Sequence, residues 1–250
     1  MQNQTDVFSR RSGWGCAVRR VVLSACLLAM PCAYMGTVVP CPEAAAGISA
    51  EAETDEIAVI YRSMQLEGVV NWKAFRQAVA GYNRIEGRKR DVLTLIDFSK
   101  PSTEKRLYVF DMKHRRLLYS SVVSHGKNSG ENYARSFSNE VGSYKSSLGF
   151  YLTASTYQGS NGYSLRLDGL EKGINDRARE RAIVVHGAAY ANPSVARNGR
   201  LGRSFGCPAL PVALARPVID AIKGGSVMYI YAENPDYLAH SSILRPSDLL

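Results

Sequence analysis

Histidine, cysteine and tryptophan are scarce: the 250-residue chain holds four, five and two of them. No two cysteines have the spacing of a zinc-binding pair, there is no His-Glu-x-x-His, and His114, His125, His186 and His240 stand far apart in sequence. The usual sequence signatures of a metal centre are therefore missing, and neither a metal nor another cofactor is expected. There is no internal repeat, which excludes a repeat architecture. Basic residues crowd together only at Arg84, Arg88, Lys89 and Arg90, between two apolar segments, which reads as a solvated linker rather than a nucleic-acid patch.

What is present begins with an export signal. Arg10, Arg11, Arg19 and Arg20 precede a mostly apolar run from Val21 to Val39, and Ala44-Ala45-Ala46 supplies a small-residue cleavage pattern. Uncleaved, the same run would approach the roughly 20 residues that span a bilayer, although Pro31 and Pro40 interrupt it. Membrane contact is expected only in that case. Leu23-Ser24-Ala25-Cys26 resembles a lipobox, a minor alternative because few apolar residues separate Arg20 from Cys26. Cleavage near Ala46 removes Cys16, Cys26, Cys32 and Cys41, which leaves Cys207 without an intramolecular partner.

The remaining 200 or so residues suffice for one good core. The hydrophobic content of 46% is that of a globular protein, and the net charge of +9 draws the chain to an anionic partner. For an exported protein the bacterial wall is such a polymer. Ile57, Ile60, Tyr61 and Met64, then Trp72, Phe75, Val79 and Tyr82 behind Asn71, have helical spacing. From Asp91 the pattern changes to short β-rich runs: Val92 to Phe98, Arg106 to Met112, Arg116 to Ser124, Phe150 to Ser155, Tyr163 to Leu167 and Ala182 to Val185. A helix is expected from Pro211 to before Gly224-Gly225, broken at Pro217, then a strand over Val227 to Tyr231 and a loosely held tail from Asn234.

The chemistry centres on Cys207, in Gly202-Arg203-Ser204-Phe205-Gly206-Cys207-Pro208-Ala209. A free thiol outside the cytoplasm is open to oxidation, so one kept in a glycine-rich setting reads as a nucleophile rather than a small buried hydrophobe. A cysteine attacks as thiolate and needs a base or a positive neighbour, usually histidine. His114 lies in a basic turn and His240 in the tail. His125 and His186 each end a β run and precede a glycine. His186 is the better base, and His125 is expected as a wall of the same cleft or as a plain strand-end residue. Gly206 lets the backbone approach a substrate, and neighbouring N–H groups could hold an oxyanion.

Ile183-Val184-Val185-His186-Gly187-Ala188 and Asn198-Gly199-Arg200-Leu201-Gly202-Arg203-Ser204-Phe205-Gly206-Cys207-Pro208-Ala209-Leu210 resemble the catalytic domain of the L,D-transpeptidases, in its murein branch. Ser136-Phe137-Ser138-Asn139, Gly142 to Tyr151 and Leu165 to Glu171 extend the resemblance over roughly residues 56 to 233. It implies a mainly β fold, a β-sandwich or barrel with a short N-terminal helical extension and a helix after the cysteine. The domains would be a signal segment over 1–46, the helical extension over 47–90, the catalytic domain over 91–233 and a tail over 234–250.

The resemblance also implies that Cys207 attacks peptidoglycan stem peptides, that His186 activates it, and that the Gly187 carbonyl orients the imidazole. Ser204 and Gly206 match the family signature, and Ser146-Ser147-Leu148-Gly149-Phe150 occupies the place of a cleft-lining segment, which makes Ser147 and Gly149 candidate substrate contacts. Many relatives carry histidine where Phe205 stands, and arginine or asparagine where this chain has Pro208-Ala209. Arg203, or else Arg200 or Arg166, is then the candidate to grip a substrate carboxylate, each being equally placed to serve as a structural ion-pair partner. The expected reaction is acyl transfer through a thioester with release of D-alanine. Hydrolysis by the same site, another peptidoglycan cysteine peptidase and a non-catalytic wall-binding module are the alternatives.

Overall fold

Among the described residues, eight strands make one sheet. The computed structural model describes residues 55–249. The expected export signal and Cys16, Cys26, Cys32 and Cys41 lie outside the described residues. Among those described, no helix is long and apolar enough to cross a membrane.

The strands are β1 (Val92–Asp97), β2 (Leu107–Asp111), β3 (Arg116–Ser121), β4 (Gly149–Gly159), β5 (Gly162–Gly169), β6 (Val184–Gly187), β7 (Ala209–Leu210) and β8 (Val227–Tyr231). Their order across the sheet is β3-β2-β1-β8-β4-β5-β6-β7; β1 pairs in parallel with β8, and β6 with β7, and the other pairs are antiparallel. Past β3 the chain bridges from Ser124 to Ala209 and from Gly126 to Ser204, so the two edges of the sheet meet and nearly close a barrel. That closure protects edges that would otherwise expose unpaired backbone groups. It also lays the cysteine loop between β6 and the chain leaving β3.

Helix α1 is described from 55 to 63, and α2 spans Trp72–Arg84. Asn71 caps α2 by accepting from the Ala74 N–H at 3.3 Å, as its short polar side chain favours. The apolar stripe packs on the sheet: Phe75 meets Tyr61 at 5.3 Å and Phe110 at 5.3 Å between ring centroids. Gly81 is required there, because a Cβ would lie 2.0 Å from the Phe150 ring. The short helix α3 spans Pro193–Ala196 and leads into the cysteine loop.

Helix α4 (Val212–Ile222) runs unbroken through Pro217, contrary to the expected break. An interior proline costs about 3 kcal/mol. Burial of Val218, Ile219 and Ile222, at about 1.5–3 kcal/mol each, outweighs it.

The C-terminal segment corrects the expectation of a loose tail. Helix α5 (Pro235–His240) buries Tyr237, whose hydroxyl donates to Glu171 Oε2 at 3.2 Å, and Ser241 donates to the same carboxylate. Asp248 forms an ion pair with Arg84, and its carbonyl accepts from Arg76 Nη2 at 2.7 Å. Long-range polar pairs hold this segment, and no local apolar pattern announces them.

Candidate active site

The loop that carries Cys207 is lashed by its own serine. Ser204 Oγ accepts from the Gly206 N–H at 3.1 Å and donates to the Cys207 carbonyl at 2.6 Å. Its backbone continues the barrel closure, with Ser204 N–H donating to His125 O at 2.9 Å and Lys127 N–H to Ser204 O at 2.8 Å. Gly206 stands at φ +127°, and a Cβ there would lie 2.9 Å from both Ile183 Cδ1 and the Lys145 carbonyl, so only glycine fits. Ser146 Oγ donates to the Gly206 carbonyl at 3.0 Å while accepting from the Gly126 N–H, also at 3.0 Å.

The half-buried Cys207 sulfur accepts from the Val184 N–H at 3.4 Å and donates to the Ala182 carbonyl at 3.6 Å. Burial pushes its thiol pKa up, whereas the Val184 N–H and the nearby Arg181 guanidinium pull it down. Arg181 reaches the site from the other flank. It donates to Ser138 O at 2.7 Å, to Ser147 Oγ and to the Lys145 carbonyl, which pins the 138–147 loop beside Gly206.

His186 lies on β6 and is 4% exposed. The β6 backbone runs beside the cysteine loop, in register with Ala209. Its Nδ1 donates to the Gly187 carbonyl at 3.1 Å, which fixes the neutral tautomer and leaves the Nε2 lone pair without a partner among the described residues. Burial lowers its pKa, against the Gly187 bond, which favours the neutral ring. No hydrogen bond joins this ring to the Cys207 sulfur in the structure. Burial, helped by the nearby Cys207, pushes the Tyr190 phenol up to about 12.

Several candidate contacts are committed elsewhere. His125 is 1% exposed, its Nδ1 accepting from Arg106 Nη2 at 2.8 Å and its Nε2 donating to Gly130 O at 3.3 Å. With both nitrogens spent it forms no open cleft wall; its backbone carbonyl holds Ser204 instead. Ser204 spends its hydroxyl on the loop, and Gly206 spends its N–H on Ser204, so neither faces a substrate; Pro208 has no N–H to offer an oxyanion. Ser147 is buried between Arg181 and the Ser138 carbonyl, and Gly149 is buried against Glu171. Arg203 and Arg200 both pair with Glu131, at 2.7 and 2.9 Å, which makes them loop clips rather than free cations.

Two features escaped the sequence reading. Arg181 sits in Arg177-Ala178-Arg179-Glu180-Arg181, which looks like a charged surface, and its guanidinium turns inward. Phe205 is 66% exposed and meets Tyr144 at 4.8 Å, with Lys127 Nζ over both rings at 4.4 and 4.7 Å. A cavity of about 400 Å³ beside Phe137, Lys172 and Tyr237 has neither Cys207 nor His186 in its wall. A smaller cavity, of about 220 Å³, also lacks Cys207 and His186 in its wall, but it is lined by Ala182 and Val184, the two residues whose backbones contact the sulfur.

The fold and site together are a nearly closed β-barrel with a backbone-cradled cysteine and, on the neighbouring strand, a histidine of fixed tautomer. The L,D-transpeptidase catalytic domain model matches residues 66–231, and the chain belongs to that family. Comparison with the curated proteins gives no match. Among solved structures, the chain is similar to L,D-transpeptidase 3 from Mycobacterium tuberculosis, with 16% identity, 57% of this chain and 61% of that one covered, and a TM-score of 0.36. It is similar to an L,D-transpeptidase from Mycobacterium smegmatis, with 14% identity, coverages of 57% and 59%, and a TM-score of 0.35. The helical cell shape determining protein Pgp2 from Campylobacter jejuni matches with 13% identity, coverages of 72% and 60%, and a TM-score of 0.41. The chain spans about three-fifths of the length of these proteins.

Proposed function

We propose that this protein is an exported cysteine acyltransferase acting on peptidoglycan stem peptides, an L,D-transpeptidase. The observation that carries this reading is the His186 tautomer, fixed by Gly187 so that Nε2 is the basic atom, on the strand whose Val184 N–H holds the Cys207 sulfur. Substrate entry brings imidazole and thiol into proton-transfer contact, since catalytic hydrogen bonds often tighten only in the complex.

His186 takes the thiol proton, and the thiolate attacks the carbonyl joining the third, L-centred residue of the stem to its terminal D-alanine. The C–N bond breaks as protonated His186 donates to the departing amine. D-alanine leaves and a thioester remains on Cys207. An amine of a neighbouring stem then attacks the thioester, His186 accepts its proton, and the thiol is regenerated with a new cross-link. Water in place of that amine gives L,D-carboxypeptidase activity.

The net charge of +9 favours an anionic wall polymer, and export rests on the N-terminal arginines and apolar run. Mass spectrometry of products from a disaccharide-tetrapeptide, with wild type beside Cys207→Ala, tests the reading. A cysteine-dependent dimer lacking one D-alanine supports transpeptidation, and a tripeptide monomer supports hydrolysis. Equal turnover in the two proteins contradicts both.

A further inference from the structure

Pro208-Ala209 puts no cation directly after the cysteine, and Arg203 and Arg200 are occupied by Glu131. Arg181 is capped by carbonyl and hydroxyl oxygens. Arg166 differs from all three. Its guanidinium lies over the Tyr157 ring at 4.2 Å, and its only side-chain hydrogen bond among the described residues is a long one of 3.4 Å to Ser155 Oγ. No carboxylate pairs with it among the described residues, whereas its neighbour Arg179 is held by Asp168.

Its position follows from register. Arg166 on β5 pairs with Val184 on β6, and the Val184 N–H donates to the Cys207 sulfur from the opposite side. Arg166 and Cys207 therefore flank one residue, their backbones about 10 Å apart at two strand spacings. The cavity of about 220 Å³ lined by Tyr157, Arg166, Arg179, Ala182 and Val184 lies beside the thiol: Cys207 is not in its wall, but Ala182 and Val184, whose backbones contact the sulfur, are. Two extended peptide residues span about 7 Å, and the arginine side chain covers the rest.

We propose that this cavity is the carboxylate subsite for a peptide presented to Cys207, with Arg166 as its cation and Tyr157 as the plate that holds the guanidinium flat. A peptide carboxylate one or two residues from the attacked carbonyl meets the two parallel N–H groups of the guanidinium. The inference rests on the acyl-transfer reading for the direction of the peptide, but the subsite can be tested without turnover.

The test uses the full-length protein and measures protection of Cys207 from iodoacetamide by N-acetyl-L-lysyl-D-alanine and by its C-terminal amide. Each rate is normalised to the peptide-free rate of the same variant. The acid is expected to protect at about tenfold lower concentration than the amide, the worth of one charge-assisted pair. Arg166→Gln removes that preference, Arg166→Lys retains part of it, and Arg203→Gln keeps it. Equal protection by acid and amide in wild type overturns the proposal, as does a preference that survives Arg166→Gln or disappears in Arg203→Gln. Should the product assay find no cysteine-dependent chemistry while the acid preference responds to Arg166, the acyl-transfer reading fails and the subsite stands.

Discussion

His125-Gly126 and His186-Gly187 are the same signature in sequence, a histidine closing a β run ahead of a glycine, and the fold gives the two rings different hydrogen bonds. Arg106 and the Gly130 carbonyl take both nitrogens of His125, and Arg106 itself is buried, donating through Nε and Nη2 to the Val123 carbonyl. His186 spends one nitrogen on Gly187 and keeps the other. Both rings are buried and both have lowered pKa values, so neither burial nor pKa distinguishes a base from a structural histidine. The count of committed nitrogens differs, and it supports the base role proposed for His186.

The largest expected effect separates the two directly. His186→Gln should lower turnover on a disaccharide-tetrapeptide by about 10²- to 10⁴-fold, the usual worth of a general acid–base group, while His125→Gln retains turnover. Loss of turnover in a well-folded His125→Gln would break the comparison.

Next in size is the buried scaffold behind His125. Arg106→Met strands the Val123 and Lys100 carbonyls and the His125 ring, and should cost about 3–5 kcal/mol by chemical denaturation. A cost under 1 kcal/mol would show that water or a shifted side chain replaces those bonds.

The third prediction is the pH dependence of stability. Desolvation, with Arg106 adding repulsion, lowers the His125 pKa from 6.5 to about 4. Between those values the unfolded chain takes up a proton that the folded chain refuses. Stability is thus full above pH 6.5, falls as pH drops through the window and levels off near 4, a loss of up to about 3 kcal/mol from this group. His125→Gln should flatten the Tm-against-pH profile over that range.

The smallest effect sharpens the thiol side. Arg181→Met should raise the Cys207 thiol pKa, read from the pH dependence of alkylation, and Arg181→Lys should restore it. An unchanged profile would assign Arg181 to loop anchoring alone.

The His186 contact with Gly187 was implied by the family resemblance, and the nearness of the Cys207 loop to the His186 strand was legible because the two lie within about twenty residues. The cap at Asn71, the strands from Val92 onward and the helix after Pro211 were legible for the same local reason. The two-residue β7, Glu171 binding Tyr237 and Ser241, and Asp248 on Arg84 were not, because each is defined by a partner far along the chain. Ser147 and Gly149 show the converse error. The segment aligned with a cleft, but Arg181 and Glu171 occupy their free sides.

The most direct measurement of the central claim is the pH profile of Cys207 alkylation by iodoacetamide in wild type, His186→Gln and His125→Gln. The account predicts that removing the His186 imidazole displaces the profile and that His125→Gln superimposes on wild type. A profile indifferent to His186, or displaced only by His125→Gln, would contradict it.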